Sequence, residues 1–313
     1  MTGYYSVYVS EYGAIVPRIT AGTSAVSSFL IICLLLRSKT KLSTIYNRIM
    51  FGMSMADVLG SLAMSLTTLP MPVEMPREEE FGYKFAGTRL GNVQTCEAQG
   101  FFFTFGVFTA IPYYAALCIY YAFALGVMMP EAKIRKRVEP FLHLIPLLVG
   151  LYVSIVPLRY EFYNPTMFDS WCNIGRYPLY EQNLDGNGFS GTRGYKTRAF
   201  DMHEIEGFIL AAIGVTLILV VTSLSTVLWR VFRTQRLLTR HEQPMTPRSD
   251  SVQNEGAENY QRAIRTHLAT KVAVIQVVGY ISVLGSTLFW PIITFTVQWK
   301  IGPKMFLFFL PLQ

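Results

Sequence analysis

From Phe101 to Met129 the chain carries no charged residue in 29 consecutive positions. A helix needs roughly 20 apolar residues to cross a bilayer core of about 30 Å, so this run spans with length to spare. Its composition adds a second constraint. Phe101, Phe102, Phe103, Phe105, Phe108, Tyr113, Tyr114, Tyr120 and Tyr121 all fall in it. A lipid-facing helix is richer in Leu, Ile and Val, and buried tyrosine hydroxyls seek partners. The run is therefore expected to stand among other helices. Cys96 at its mouth suggests a tether at that end.

Five further apolar stretches surround it. They are about 19–36, 45–69, 140–158, 207–229 and 272–299, with the central one at 98–129. Only 15% of the residues are charged and 51% are hydrophobic. Soluble domains carry about 25% charged residues, so composition points the same way. The predicted fold class is an all-α integral membrane protein. An apolar segment starts at 305–312, and the expectation is a seven-transmembrane bundle with its last helix largely missing from this chain. Residues 1–18 are read as an extracellular tail without a cleavable leader. Residues 234–265 are read as a cytosolic loop, partly disordered in its Pro-, Ser- and Gln-rich part.

Loop charge sets the orientation. Loops assigned to one side hold 16 Lys and Arg residues, and those on the other side hold 11. The two shortest loops of the first side carry four each. By the positive-inside rule that side is cytosolic, and the N-terminus lies outside. The formal charge of +7 is then a matter of topology rather than nucleic-acid binding.

Cys96 and Cys172 fall on the same expected outer side, whereas Cys33 and Cys118 fall inside spans. An oxidising exterior favours a Cys96–Cys172 disulfide over two free thiols. Cys33 and Cys118 read as packed apolar residues. Asp57 is the one ionisable residue deep in a span, and such residues are costly. It reads as an ion site, a proton switch or a network hub, or else as a neutral hydrogen-bonded structural residue. His143 lies near the cytosolic end of its span, where its tip could reach the interface, and Gln276 could bond across helices; both read mainly as structural residues. No catalytic motif stands out: His203-Glu204 lacks the second histidine of a zinc-protease motif, and no Walker or dinucleotide loop occurs. No cofactor and no metal site are expected.

The order and sidedness of these features resemble a G-protein-coupled receptor. The second span, Asn47 through Met-Ala-Asp57-Val-Leu-Gly, looks like the receptor second helix. The Cys96 and Cys172 pair looks like the receptor disulfide. Trp290-Pro291 resembles the aromatic-proline kink of the sixth helix. Cys96-x-x-Gln99-Gly100-Phe101 and Trp171-Cys172 are closer to cyclic-AMP-receptor-like and secretin-like members than to rhodopsin-like ones. At Ile119-Tyr120-Tyr121-Ala122 the Asp-Arg-Tyr motif of rhodopsin-like receptors is absent, and the fourth span lacks the usual tryptophan.

The resemblance implies an orphan receptor at the plasma membrane, not an enzyme. An unknown extracellular ligand would bind in the outer half, with Phe102, Phe105, Tyr113 and Trp171 as candidate contacts. The sixth helix would move at Trp290 and Pro291 and open a cleft for a heterotrimeric G protein. Tyr120, Tyr121, Arg135, Lys136, Arg233 and Arg236 would face that partner, with Lys133 and Arg137 beside them. The alternative for the basic residues is that they set topology and touch anionic lipid. The rival function is a small multi-span transporter or channel, and a light-driven seven-helix protein is a third.

Overall fold

The computed structural model describes residues 7–9, 11–73, 83–85, 88–165, 170–175, 202–241 and 279. The sixth span with Trp290, Pro291 and Gln276, the apolar run at 305–312 and the loop beyond His241 lie outside the described residues.

Six helices follow in order: α1 Glu11–Arg37, α2 Ile45–Ser65, α3 Val93–Tyr121, α4 Glu131–Arg137, α5 Glu139–Arg159 and α6 Met202–His241. A single π turn, Ala122–Gly126, continues α3. Two short strand pairs complete the described part. Strand β1 (Val7–Val9) pairs in parallel with β2 (Tyr83–Phe85), and β3 (Tyr163–Pro165) pairs antiparallel with β4 (Cys172–Ile174). Among the described residues four segments are long and apolar enough to cross a membrane: Ile15–Arg37, Val93–Gly126, Glu139–Arg159 and Gly207–Arg230. The chain is an all-α protein embedded in a membrane.

Local chemistry explains where the helices differ from expectation. Helix α3 starts at Val93 rather than 98 because Asn92 and Thr95 form a capping box. Asn92 Oδ1 accepts from Thr95 N at 2.9 Å, and Thr95 Oγ1 accepts from Asn92 N at 2.7 Å. Helix α2 stops at Ser65 rather than 69, since Thr67 adopts a left-handed backbone (φ 48°) that ends the helix. Helix α1 begins at Glu11 and carries Pro17 inside it, so the expected tail at 1–18 is shorter. Helix α6 runs 40 residues to His241, and residues 234–241, expected in a loop, are helical. Arg230, Arg233, Arg236 and Arg240 therefore share one helix.

Helix α3 is the hub. It packs against α2, α5 and α6, while α1 reaches the bundle through α2. In its apolar window 44% of positions are buried, against 17% in α1, so the tyrosine-rich helix is the enclosed one. Small residues permit the close approaches. A Cβ on Gly106 would lie 2.4 Å from Gly60 N and 2.7 Å from Ala56 O. A Cβ on Gly150 of α5 would lie 1.9 Å from Thr109 Oγ1. Ile49, Met53, Tyr113, Leu117, Leu142 and Val227 form the apolar core around this seam.

Candidate functional site

Among the described residues three polar centres punctuate the apolar bundle along its axis: an outer one, taken as the end where α3 begins, a middle one, and an inner one at the opposite end. The outer one is built on Cys96, in the first turn of α3. A disulfide joins it to Cys172, with the Cα atoms 5.4 Å apart and 76 residues between them in sequence. One turn on, Gln99 is 3% exposed and uses every polar atom it has. Its Nε2 donates to Ala63 O at 2.9 Å and Thr67 O at 2.8 Å. Its Oε1 accepts from Cys172 N at 3.0 Å. The side chain thus ties the last carbonyls of α2 to the β3–β4 hairpin and fixes both against α3.

The hairpin itself is buried. Tyr163 lies against Gly100, where a Cβ would come within 2.4 Å of its ring, and its hydroxyl donates to Ser154 O at 3.0 Å. Burial pushes the Tyr163 phenol well above its ordinary pKa. Asn164 Nδ2 closes the turn by donating to Glu161 O and Gly175 O, both at 2.8 Å. Trp171 rests on Phe103 with ring centroids 5.6 Å apart. Its indole Nε1 is enclosed and has no hydrogen-bond partner among the described residues.

The middle centre is Asp57. Ser24 and Ser28, one turn apart on α1, donate to Oδ2 at 3.0 and 2.5 Å, and Ser61 donates to Oδ1 at 3.4 Å. Two hydroxyls of the first span thus serve this carboxylate. Asp57 is a hydrogen-bonded network hub between α1 and α2.

The inner centre was not foreseen as a unit. Arg48 of α2 grips Glu139 of α5 with Nε on Oε1 and Nη2 on Oε2, the latter at 2.9 Å. Its Nη1 donates to Leu42 O at 2.6 Å and Ser43 O at 3.0 Å. Glu139 is 8% exposed, so this is a largely buried, bidentate pair. His143, one turn from Glu139, has the structural place favoured for it, with its Nε2 3.8 Å from Glu139 Oε1. Its Nδ1 meets Tyr113 Oη at 3.2 Å, because α3 presents that hydroxyl across the helix seam. Arg135 of α4 also donates to Ser43 O, which ties α4 to the 38–44 turn. No sequence motif marks this assembly. A single cue exists: Arg48 and Glu139 each sit at the boundary of an apolar run, where an unpaired charge is costly.

The four candidate ligand contacts do not converge. Phe102 is 45% exposed and lines an outward groove of about 510 Å³ with Leu62, Leu66 and Leu90. Phe105 stacks on Phe101 with centroids 6.3 Å apart. Tyr113 is buried about 16 Å further along the helix axis, given a rise of about 1.5 Å per residue. Trp171 alone sits under the outer hairpin. At the other end, Tyr121 is buried and packs on Tyr46 and Tyr120, at 6.3 and 5.5 Å. Arg135, Lys136 and Arg233 are exposed, and Arg236 lies on the α6 helix. The π turn links these parts: Gly126 lies under Thr226 of α6, and Arg230 Nη2 contacts Met128 Sδ at 3.0 Å. Cys118 is buried and Cys33 half-buried, both as free thiols.

No family model matches the chain, and no curated protein matches it.

Proposed function

We propose that the chain is a heptahelical cell-surface receptor that passes an extracellular signal to a heterotrimeric G protein. The observation that supports this most is the central helix: α3 packs on α2, α5 and α6, and a disulfide at its outer mouth holds the following loop over it. In this reading the span at 272–299 and the run from Met305 supply the remaining helices. The N-terminus is outside, at the plasma membrane. The ligand enters beneath the β3–β4 hairpin, where the indole donor of Trp171 offers an enclosed hydrogen bond. Signalling moves the sixth helix at Trp290 and Pro291. The G protein meets a face made by the π turn, α4 and the end of α6, including Tyr120, Arg135, Lys136, Arg233 and Arg236.

No Asp-Arg-Tyr motif stands at Tyr120-Tyr121, so the basic rim has to supply the charge that engages the partner. The test is nucleotide exchange in membranes carrying the full chain, read with a non-hydrolysable GTP analogue and purified G-protein heterotrimer. Exchange above membranes without the chain is expected. Neutralising Lys133, Arg135, Lys136, Arg137, Arg233 and Arg236 together should abolish it. Exchange that survives the six changes removes the basic rim from coupling. Solute flux in proteoliposomes with no exchange for any heterotrimer overturns the receptor reading in favour of a transporter.

A further inference from the structure

Helices α5 and α6 both lean on α3 yet touch each other little. Between them runs a slot of about 290 Å³. Its floor is α3, contributing Pro112, Ala115 and Ala116. Its α5 wall includes Ile145, Pro146 and Val149, and its α6 wall includes Ala212 and Val215. At the outer end Tyr152 and Phe208 close over it, ring to ring at 4.5 Å. This aromatic pair bridges α5 to α6 where the small residues beneath leave a gap.

The lining is apolar throughout. Its single hydroxyl, on Thr216, is spent on Ala212 O of its own helix at 2.8 Å. An occupant therefore meets no free side-chain donor or acceptor, and any polar group it brought would be left unpaired. All three walls belong to segments that cross the membrane. The mouth is rimmed by Phe141, Ile145 and Val215, which are 58%, 53% and 57% exposed. Whatever reaches the slot comes laterally from the hydrocarbon. A group the size of a water molecule fills about 30 Å³, so the slot takes on the order of ten methylenes. Burying a methylene is favourable when it is drawn from water, but gains little when it is drawn from lipid tails. Shape rather than transfer energy must then hold the chain in place.

We propose that this slot is a binding site for one acyl chain of a bilayer lipid, which wedges α5 from α6 below the Tyr152–Phe208 pair. The inference does not depend on the receptor reading. It is tested with the full chain in nanodiscs of phosphatidylcholine carrying a mid-chain diazirine. After photolysis, labelled peptides are mapped by mass spectrometry. Label at Ile145, Val149, Ala212 and Val215 is expected to exceed that at Leu144, Leu148 and Ile155 by fivefold or more. The latter three, on another face of α5, are about as exposed as Ile145 and Val215 and more exposed than Val149 and Ala212, so exposure alone would not favour the slot. Ala212→Phe fills the slot from α6 and Val149→Phe fills it from α5. Either should bring the slot label down to the level of that face, with the thermal midpoint kept. Label that merely follows exposure, or that persists in both filled variants, overturns the proposal. If one variant fails to fold, the other decides.

Discussion

Replacing Gln99 tests whether the outer centre is a true structural joint. The side chain makes three hydrogen bonds, to Ala63 O, Thr67 O and from Cys172 N, at 2.8–3.0 Å and 3% exposure. Gln99→Met keeps the volume and removes all three. A hydrogen bond contributes about 1 kcal/mol net, so the loss is about 3 kcal/mol, with buried orphans adding to it. For a chain of this size about 1 kcal/mol shifts the midpoint by roughly 2–4 °C, which predicts a fall of about 6–12 °C. Gln99→Glu should be worse at neutral pH. It keeps the acceptor for Cys172 N but turns a carboxylate toward two carbonyl oxygens. The assay is thermal unfolding in detergent, followed with a thiol-reactive dye. Cys118 is buried and unpaired, so it reports opening of the core directly. A Gln99→Met midpoint within 2 °C of the parent, or Glu milder than Met, refutes the account of this joint.

Gly106→Ala pushes a Cβ into Gly60 and should cost about 1–3 kcal/mol, whereas Gly22→Ala meets nothing within 4 Å and should stay near neutral; paired melts decide. Removing the disulfide with Cys96→Ser frees a 76-residue loop, worth about 4.5 kcal/mol on chain entropy, and Cys172 should then alkylate without reductant in peptide mapping. Arg48→Ala strips the buried Glu139 of its bidentate partner and leaves it, among the described residues, only His143 Nε2 at 3.8 Å, and should lower stability by about 3–5 kcal/mol. Adding Glu139→Gln should recover much of that loss in a double-mutant cycle, and strict additivity would exclude the pair.

The membrane character, the places of four long apolar helices and the choice of the central helix were legible along the chain, whereas the stretch at 45–69, expected to span, forms a helix that is not among the four. They depend on runs of apolar residues and on local signals, which a linear sequence displays directly. The Asn92–Thr95 capping box and the left-handed Thr67 are also local, yet they moved two helix ends by several residues. Ligand contacts were not legible. Phe102, Phe105, Tyr113 and Trp171 share an aromatic character, but Phe102 and Phe105 meet Phe101, Tyr113 meets His143, and Trp171, beside strand β4, meets Phe103. Aromaticity carries no direction; only the packed neighbour does.

Pairing divides the same way. Sidedness was enough to match Cys96 with Cys172, because few cysteines compete and the membrane separates them. It was not enough to match Arg48 with Glu139, 91 positions apart, or Ser24 and Ser28 with Asp57. Those partners are chosen by which faces of α1, α2 and α5 come together, and the glycine seams at Gly60, Gly106 and Gly150 set that approach. By itself the sequence determined that the chain lies in a membrane, because hydrophobic length is a one-dimensional quantity. The tertiary structure alone decided which polar groups satisfy one another, because contact depends on rotation about each helix axis.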